Sequence, residues 1–435
     1  MTGFDARSWL DAHVNLETGL GVPAQRERGA PTLERISTLL RYLGSPELEF
    51  PAIHLTGTNG KTSTARMMTQ LLVSLGVRVG SYTSPHLERV NERISVDGEP
   101  IEDDALDELL HAVALVEQAV AVHPSYFEVL TAAAFRYFDD VAVDVAVVEV
   151  GLGGTWDATN VVDAGVSVVT NISVDHVEYL GPTRERIASE KAGIVKPGST
   201  LVLGETDADL QDIFEARQPA RLWRRDADFG VRVNALALGG RVVDLYTPDA
   251  AYADVFVPLH GAHQADNAAA ALAATEAFIG DVLDPRIVTS AFAEVRSPGR
   301  LEIVGRQPLV ILDGAHNVAG ASALRAALDE EFAGAPRTIV VGLLREKEPH
   351  EMLTALGIDD AALVVCCRPP SPRGLDPQLV AKAAADLGVP IDRVEVVETV
   401  AEAVGTAQLS TPIEGQIVIT GSLYVVGAAR ALLVR

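Results

Sequence analysis

Short apolar runs alternate with longer segments of helical period along most of this 435-residue chain. Among the runs are DVAVVEVG at 144–151, GVSVVTNIS at 165–173 and STLVLG at 199–204. A strand that is apolar along its whole length is typical of a parallel sheet covered by helices on both faces. The pattern therefore predicts an α/β fold built on parallel sheets.

The length and the order of these segments predict more than one domain, since single cores stop growing near about 250–300 residues. Residues 205–257 differ from their surroundings, with strand-like pieces that predict a small antiparallel sheet. EVRSPGRLEIV at 294–304 is typical of a linker, because Pro298-Gly299 interrupts regular structure. Beyond it, five apolar strands alternate with helical segments, the pattern of a doubly wound domain.

We therefore predict two domains. Residues 1–296 form a P-loop-containing ATPase domain with a parallel sheet and a small antiparallel sheet, and residues 297–435 form a smaller Rossmann-like domain.

The balance of charges limits the partners of the protein. Its formal net charge is −25, so we expect neither nucleic acid nor an anionic membrane surface as a partner. An anionic small substrate would require a locally basic pocket or a metal ion against the overall negative field.

The cysteines and the apolar segments favour a cytoplasmic protein. Cys366 and Cys367 are adjacent at the end of an apolar run, where disulfide geometry is rare and burial in the core is typical. No apolar run approaches the roughly 20 residues of a membrane span. The first residues, MTGFDARSWLDAH, have neither the basic nor the apolar region of a secretory signal.

The stretch AIHLTGTNGKTST at 52–64 resembles a phosphate-binding loop with one departure. The usual G-x-x-x-x-G-K-[ST] pattern would place a glycine at Leu55, whereas the glycine here is Gly57. A strand precedes the loop and a helix follows it, so backbone N–H groups at the helix start can face phosphate oxygens. Lys61 would then reach the β- and γ-phosphates, and the Thr62 hydroxyl would bind Mg²⁺. The alternative, a solvated turn with an incidental lysine, is less compatible with this order of elements.

Three further residues are candidates for metal binding or catalysis. Glu149 lies in an otherwise apolar strand, where a carboxylate is costly to bury unless it is paired or near a cation. It is either a metal ligand or a structural acid in a salt bridge. His176 follows Asp175 just after another strand, and Lys191 ends the next helix-like stretch. Each of these two, taken singly, is also compatible with a structural role.

Ten segments that occur in this order carry a family resemblance: TGTNGKTST, YTSPHLERVNERISVDG, FEVLTAAAFRYF, VVEVGLGGTWDATNVV, DHVEYLG, EKAGIVKPG, HQADNAAAAL, SPGRLEIV, LDGAHN and TGSLY. From about residue 30 to the C-terminus the chain resembles the folylpolyglutamate synthase/dihydrofolate synthase family of Mur-ligase-type enzymes. TGTNGKT alone indicates the wider superfamily. SPHLERVNERI, EKAGI and DGAHN favour the folate branch.

The resemblance implies a ligase that uses ATP and Mg²⁺. The γ-phosphate of ATP is transferred to the carboxylate of dihydropteroate or of a reduced folate, which gives an acyl phosphate. The amine of L-glutamate then attacks, and phosphate leaves. The resemblance also implies a monomer. Two alternatives remain open: a Mur-type ligase for another carboxylate, and a nucleotide-binding regulator without catalytic activity.

The resemblance also assigns site residues. The catalytic set is Lys61, Glu149, His176 and Lys191. The nucleotide-binding set is Gly57, Thr58, Asn59, Gly60, Lys61, Thr62, Ser63, Asn267, Arg300, Asp313 and His316. The metal-binding set is Thr62, Ser84, Glu149, His176 and Lys191, the last as a carbamate formed with CO₂. The set for acceptor and glutamate is Phe127, Thr131, His316 and Ser422.

Structural alternatives accompany three of these assignments. Lys191 could be unmodified in a salt bridge, Phe127 could be a core aromatic residue, and Asp313 could cap the helix that follows it. The chain also departs from the family pattern at LLREKEPHEM, 343–352, where a D-K-D-like element is usual. Lys347 is retained between two glutamates, and this departure affects the glutamate side of the site rather than the reaction class.

Overall fold

The computed structural model describes residues 4–19, 32–120 and 122–434. They form two compact units. The first comprises the described residues within Met1–Ala235, Val242–Val257 and Gln264–Val295, and the second comprises those within Leu236–Arg241, Pro258–His263 and Arg296–Arg435.

The first unit is built on an eight-stranded sheet of order β4-β3-β2-β5-β1-β6-β7-β8. Its strands are β1 (Ala52–Thr56), β2 (Val79–Tyr82), β3 (Ile94–Val96), β4 (Glu99–Pro100), β5 (Val145–Glu149), β6 (Val166–Val169), β7 (Thr200–Leu203) and β8 (Arg221–Arg224). From β2 to β8 the neighbours are parallel, and β3 and β4 add an antiparallel edge. The predicted parallel sheet is confirmed. Its central strand β1 pairs Leu55 with Glu149, which places that carboxylate beside the end of β1.

A three-stranded sheet of order β11-β10-β9 accompanies it. Its strands are β9 (Gly230–Ala237), β10 (Gly240–Tyr246) and β11 (Ala251–Val257). Only residues 238–239 and 247–250 connect them, and parallel neighbours would need crossovers of a dozen residues or more. The predicted small antiparallel sheet is therefore present, although it is narrower than 205–257 because β8 joins the large sheet.

In the described part of this unit the α-helices are α1 (Ala6–Asp11), α2 (Glu34–Tyr42), α3 (Lys61–Ser74), α4 (Asp103–Val120), α5 (Tyr126–Asp140), α6 (Val177–Leu180), α7 (Arg184–Lys191), α8 (Ala208–Glu215), α9 (His263–Ile279) and α10 (Pro285–Ala293). On one face, α1, α2, α4 and α5 enclose a core that includes Tyr82, Phe135 and Phe138. The start of α5 is fixed by a capping box, in which Ser125 and Glu128 each accept a hydrogen bond from the other's backbone N–H.

The second unit contains a six-stranded sheet of order β12-β13-β17-β14-β15-β16. Its strands are β12 (Glu302–Arg306), β13 (Leu309–Leu312), β14 (Arg337–Val341), β15 (Leu363–Cys366), β16 (Val394–Val396) and β17 (Gln416–Thr420). Its helices are α11 (Val318–Glu331), α12 (Pro349–Leu356), α13 (Pro377–Asp386), α14 (Val400–Ser410) and α15 (Leu423–Leu433). The strands β13 to β17 are parallel, as expected of a doubly wound sheet. Cys366 and Cys367 are buried free thiols, as predicted.

The predicted linker at 294–304 is wrong in its last part. Residues Glu302–Arg306 form β12, which pairs antiparallel with β13, and Ile303 packs against the core of the second unit. Gly299 adopts a left-handed φ of 69°, so the Pro298-Gly299 pair does interrupt regular structure just before the strand. In the parts of the chain that the structure describes, no helix is long and apolar enough to cross a membrane.

Candidate active site

The loop between β1 and α3 is tightly enclosed at its two glycines. Gly57 and Gly60 have φ values of 150° and 85°, a region that favours glycine. A Cβ atom on Gly57 would collide with Oγ1 of Thr170, and one on Gly60 would collide with Oδ1 of Asn267. The two close approaches explain why both positions need glycine. They also bring Asn267, near the start of α9, beside the loop, while its contact with a nucleotide stays a prediction.

The segment that follows β6 holds this loop in place through hydrogen bonds. Thr58 N donates to Asn171 O at 2.9 Å, and Asn59 N donates to Asn171 Oδ1 at 3.1 Å. The carbonyl of Asn59 accepts from Thr170 Oγ1 at 2.7 Å and from Asn171 Nδ2 at 2.9 Å. Sequence reasoning missed Thr170 and Asn171, although both directly follow a buried strand at the edge where ligands of parallel sheets bind.

The start of α3 is suited to an anion. Lys61 is the first residue of the helix, and the first turn contains no acidic side chain. The Lys61 Nζ donates to Gly57 O at 3.1 Å, so the ammonium group folds back over the loop. Free N–H groups at a helix start carry partial positive charge, which adds to that of Lys61. The arrangement can bind phosphate, and a merely solvated turn would not need it.

Lys191, the last residue of α7, meets Lys61 at the same carbonyl. Its Nζ donates to Gly57 O at 3.0 Å, and its side chain is buried. Burial and the neighbouring Lys61 ammonium lower the pKa of Lys191 to about 7, against the opposing effect of carboxylates that include Asp175. Within residues 4–19, 32–120 and 122–434, Lys191 forms no ion pair within 4.0 Å, and its Nζ donates to a carbonyl instead. A large neutral fraction of this amine exists near neutral pH.

Thr62 and Glu149 place two oxygen ligands together. The Thr62 hydroxyl donates to Glu149 Oε2 at 3.0 Å, with Oε1 at 3.2 Å. Glu149 is the last residue of β5 and is only 1% exposed. Ser84 lies two residues beyond β2, the neighbour of β5, and is likewise buried. These side chains therefore belong to the same carboxyl edge of the sheet.

This set of donors fits Mg²⁺ better than a transition metal. In the described residues no group of three or more His, Cys, Asp or Glu side chains could bind a metal ion. Mg²⁺ is usually bound by one or two carboxylates together with substrate phosphates and water, so a cage made only of protein is not required.

His176 lies at the same edge in an unusual backbone conformation. Its φ of 51° and ψ of 41° are left-handed, which is uncommon for a residue other than glycine. Its side chain is 46% exposed, and its Nε2 lies 4.0 Å from Oδ2 of Asp175. The Asp175 carboxylate also raises the pKa of Lys191. The two predicted site residues His176 and Lys191 therefore both interact electrostatically with Asp175.

Phe127 forms part of a wall against the loop after Glu149. Its ring centroid lies 5.7 Å from that of Tyr82, and a Cβ on Gly151 would overlap the Phe127 ring. Thr131 is fully buried, its hydroxyl donates to Phe127 O at 2.8 Å, and its Oγ1 lies 3.2 Å from Tyr82 Oη. The structure thus places Thr131 behind the wall, where its contact with a substrate stays a prediction.

A buried network that sequence reasoning missed supports the loop after Glu149. Asp157 Oδ2 accepts from Leu152 N at 2.9 Å, and its other oxygen accepts from both the backbone and the hydroxyl of Thr159. Thr159 Oγ1 lies 2.8 Å from His54 Nε2. Burial raises the pKa of Asp157 and lowers the pKa of His54 to about 3, so the imidazole is neutral. The signal available in the sequence for this network was Asp157 itself, which follows the glycines in GGTWDATN.

In the second unit, Asp313 binds backbone rather than capping a helix. Its Oδ2 accepts from Leu301 N and its Oδ1 from Ala315 N, both at 2.9 Å. The cap of α11 is Asn317, whose Oδ1 accepts from Gly320 N at 2.8 Å. Burial raises the pKa of Asp313, while the nearby Arg300 guanidinium opposes that shift. The helix-cap alternative is therefore wrong for Asp313.

His316 and Ser422 lie at the carboxyl edge of the same sheet. His316 Nδ1 is 2.8 Å from Gly314 O, so it carries the proton and donates. Ser422 is 1% exposed and caps α15, with its Oγ accepting from Val425 N at 3.2 Å. Ser422 thus has a structural task whether or not it also contacts a substrate.

The departure from the family pattern lies in an ordered loop after β14. Glu346 Oε1 accepts from Arg373 Nη1 at 2.8 Å, and Lys347 N donates to Leu344 O at 3.1 Å. Arg345 N donates to Arg373 O at 2.9 Å, which joins this loop to the one that follows β15. Of the two glutamates that flank Lys347, Glu346 therefore has its negative charge compensated by Arg373.

The loop geometry and two domain matches define the class as a Mur ligase. The Mur ligase middle domain matches residues 55–275, and the Mur ligase glutamate ligase domain matches residues 299–423. Together these two matches account for most of the chain.

A curated relative narrows the class. The dihydrofolate synthase/folylpolyglutamate synthase of Mycobacterium tuberculosis is 43% identical over 440 residues, which cover 92% of this chain and 90% of that protein. This chain belongs to the dihydrofolate synthase/folylpolyglutamate synthase family.

Solved structures agree. The M. tuberculosis folylpolyglutamate synthase complexed with ADP has a TM-score of 0.90 at 41% identity, covering 99% of this chain and 97% of that one. A folylpolyglutamate synthase (FPGS) complex with AMPPCP and folate has a TM-score of 0.84 at 31% identity, covering 99% of each chain.

Proposed function

We propose that the protein is an ATP-dependent ligase that joins L-glutamate to dihydropteroate, to reduced folates, or to both. One observation carries the proposal: Lys61 and Lys191 converge on the carbonyl of Gly57, beside the hydrogen-bonded pair of Thr62 and Glu149. Lys61 supplies a cation, the Thr62 hydroxyl and the Glu149 carboxylate supply oxygen ligands for a metal ion, and such a set around one glycine loop is what a transferring phosphoryl group requires. The family membership supports the same reaction.

The first step makes the acceptor carboxylate reactive. A carboxylate oxygen of the acceptor attacks the γ-phosphorus of ATP, the bond to the β-phosphate oxygen breaks, and ADP leaves an acyl phosphate behind. Lys61 and the N–H groups of α3 stabilise the negative charge on the phosphate oxygens during this transfer. The amine of glutamate then attacks the carbonyl carbon and loses a proton, and phosphate departs.

Mg²⁺ fits the oxygen ligands at this edge of the sheet. Thr62 and Glu149 would bind it, with Ser84, His176 and a modified Lys191 as further ligands, and the bound ion would neutralise phosphate charge. The neutral amine of Lys191 can add CO₂ and release a proton, which would convert a cation into a carboxylate-like ligand. Its pKa of about 7 supports this modification.

The remaining assignments place nucleotide and glutamate contacts in both parts of the chain. We infer that residues 1–296 form the ATP-binding domain and residues 297–435 the glutamate-ligase domain. Asn267 and Arg300 contact nucleotide, Asp313 contacts ribose, and His316 and Ser422 face ATP or glutamate. Phe127 stacks on the pterin of the acceptor. We further propose a cytoplasmic monomer.

The test is ADP release by the purified protein with Mg-ATP and L-glutamate, comparing dihydropteroate, tetrahydrofolate and no acceptor. Turnover with both acceptors, dependent on glutamate, is the result expected of a bifunctional enzyme, and turnover with one assigns a specialised synthase. Lys61→Met should abolish it, with exposed Lys382→Met as the matched control. Turnover only with another carboxylate would favour a different Mur-type ligase. ATP binding without any turnover would favour a regulator.

A further inference from the structure

The motif SPHLERVNERI folds into a loop that is closed on itself. Thr83 N donates to Arg93 O at 2.9 Å, which joins the two ends of the loop. Inside it, the Glu92 carboxylate accepts from Leu87 N and from Arg89 N, both at 2.8 Å. Ser84, a proposed metal ligand, is the second residue of this loop. The position of Ser84 therefore depends on how the loop is anchored.

The anchor is the guanidinium of Arg93, which is 1% exposed. Its Nη1 donates to Glu17 Oε1 at 2.8 Å, and its Nη2 donates to the other oxygen of the same carboxylate. Its Nε donates to His86 Nδ1 at 2.9 Å, so that nitrogen of the imidazole is the bare acceptor. A buried guanidinium needs an anionic partner to compensate its charge. The two parallel contacts with the Glu17 carboxylate also fix the orientation of the guanidinium plane.

The same guanidinium also reaches the start of α5. Its carbon lies 5.5 Å from the ring centroid of Tyr126, and Tyr126 N donates to Val14 O at 2.9 Å. Tyr126 directly precedes Phe127, the proposed wall for the pterin. Arg93 thus joins three parts of the chain: the segment 14–17, the loop 83–93 and the first turn of α5.

We propose that Arg93, with Glu17 as its counter-ion, is a positioning residue that sets Ser84 at a fixed distance from Phe127. This inference rests on the proposed function, because Ser84 and Phe127 face metal and acceptor only in that proposal. A fixed distance between Ser84 and Phe127 would align the acceptor carboxylate with the γ-phosphate. Small displacements of such positioning groups lower the reaction rate.

Packing alone does not account for this arrangement. Apolar residues of similar volume often replace a buried ion pair without loss of stability, so the pair is not required to fill the core. A lysine would keep the charge but would lose the planar fork that fixes the angle between the segments. The geometric role predicts that a charge-conserving change is harmful, whereas a purely electrostatic role predicts that it is tolerated.

The test compares Arg93→Lys, Glu17→Gln and the double variant with Arg89→Lys as control. Arg89 belongs to the same motif, but its guanidinium is exposed and pairs with Asp103 at the surface. For both single variants we expect the half-saturating Mg²⁺ concentration and the acceptor KM to rise about tenfold. The Kd for ADP without metal should stay within about twofold, and the double variant should be no worse than the more affected single variant.

Hydrogen exchange of the ligand-free protein gives a readout that does not require activity. Glu17→Gln should speed exchange at the amides of Thr83, Leu87 and Arg89, while the loop 57–60 keeps its protection. If Arg93→Lys does not fold, Glu17→Gln decides the matter by kinetics and exchange together.

Unchanged KM and Mg²⁺ dependence in folded variants, with a lower melting temperature alone, would overturn the proposal. Wild-type protein that turns over no folate acceptor would instead overturn the proposed function, and the exchange result would still show whether Arg93 anchors the loop.

Discussion

The two sheets expose comparable carboxyl edges, but their polar side chains are used differently. In the first unit, the Nζ atoms of Lys61 and Lys191 both donate to one carbonyl, and the Thr62 hydroxyl donates to the Glu149 side chain. In the second unit, both carboxylate oxygens of Asp313 accept hydrogen bonds from backbone N–H groups, and Ser422 caps a helix.

This difference separates two ways of building a site. Like charges brought together in a buried place oppose folding, so they point to a ligand that will neutralise them. Side chains that satisfy backbone groups stabilise the fold before any ligand arrives. Substitutions in the first unit should therefore affect turnover more than stability, and those in the second unit should do the reverse.

The largest effect should come from Glu149→Gln. The amide keeps the volume and can still accept from Thr62, but it removes the negative charge that a metal ion needs, so kcat should fall by about 10² or more. The melting temperature should change little. Steady-state kinetics and thermal unfolding check both expectations.

The matched control is Glu331→Gln, another buried carboxylate, which accepts from Gly261 N and His260 and pairs with Arg241 in the second unit. That variant should lose stability and keep its turnover. A Glu149 variant that unfolds easily would identify Glu149 as a structural acid instead.

Lys191→Met tests the buried amine through pH. The pKa of Lys191 falls from 10.5 when unfolded to about 7 when folded, so between these values the unfolded chain binds more protons. The free energy of unfolding should therefore rise with pH in this window, with a slope approaching about 1.4 kcal/mol per pH unit. The variant should lack that component.

Denaturant titrations in CO₂-free buffer from pH 7 to pH 10 measure this difference, with Lys382→Met as control. Short carboxylic acids should partly restore turnover to Lys191→Met if a carbamate is its active form. Equal slopes in wild type and variant would mean that Lys191 stays protonated in the fold.

The sequence predicts much of this architecture because strand and helix periods are local properties. Strand, GTNGKT and helix follow one another in a row, so the loop could be recognised without knowledge of distant contacts. The meeting of Lys61 with Lys191 joins residues 130 positions apart, and only the resemblance placed them in one site. The linker prediction failed at Glu302–Arg306 because β12 is an edge strand whose identity depends on pairing with β13. Asp157 was missed because its role depends on burial behind the glycines.

Asp313→Asn should lower stability more than it changes catalysis. An asparagine retains one acceptor oxygen and turns an NH₂ group toward a backbone N–H, so one buried donor loses its partner at a cost of about 1–3 kcal/mol. Thermal and urea unfolding measure that loss. If Asp313 also contacts ribose, the KM for ATP should rise severalfold in the same variant. Normal stability with a large rise in KM would contradict the structural task that its two backbone contacts indicate.

The smallest effect should come from Ser422→Ala, which tests whether a helix cap is also a substrate ligand. Loss of the bond to Val425 N should cost about 0.5–2 kcal/mol of stability, whereas Ser422→Asn, which can still cap α15, should keep most of it. The KM for glutamate, from turnover measured over a range of glutamate concentrations, separates the two tasks, because capping is common to serine and asparagine but a substrate contact depends on the exact side chain. Wild-type KM for glutamate in both variants would confine Ser422 to the cap. A raised KM in the stable Ser422→Asn variant would show that Ser422 contacts glutamate in addition to capping α15.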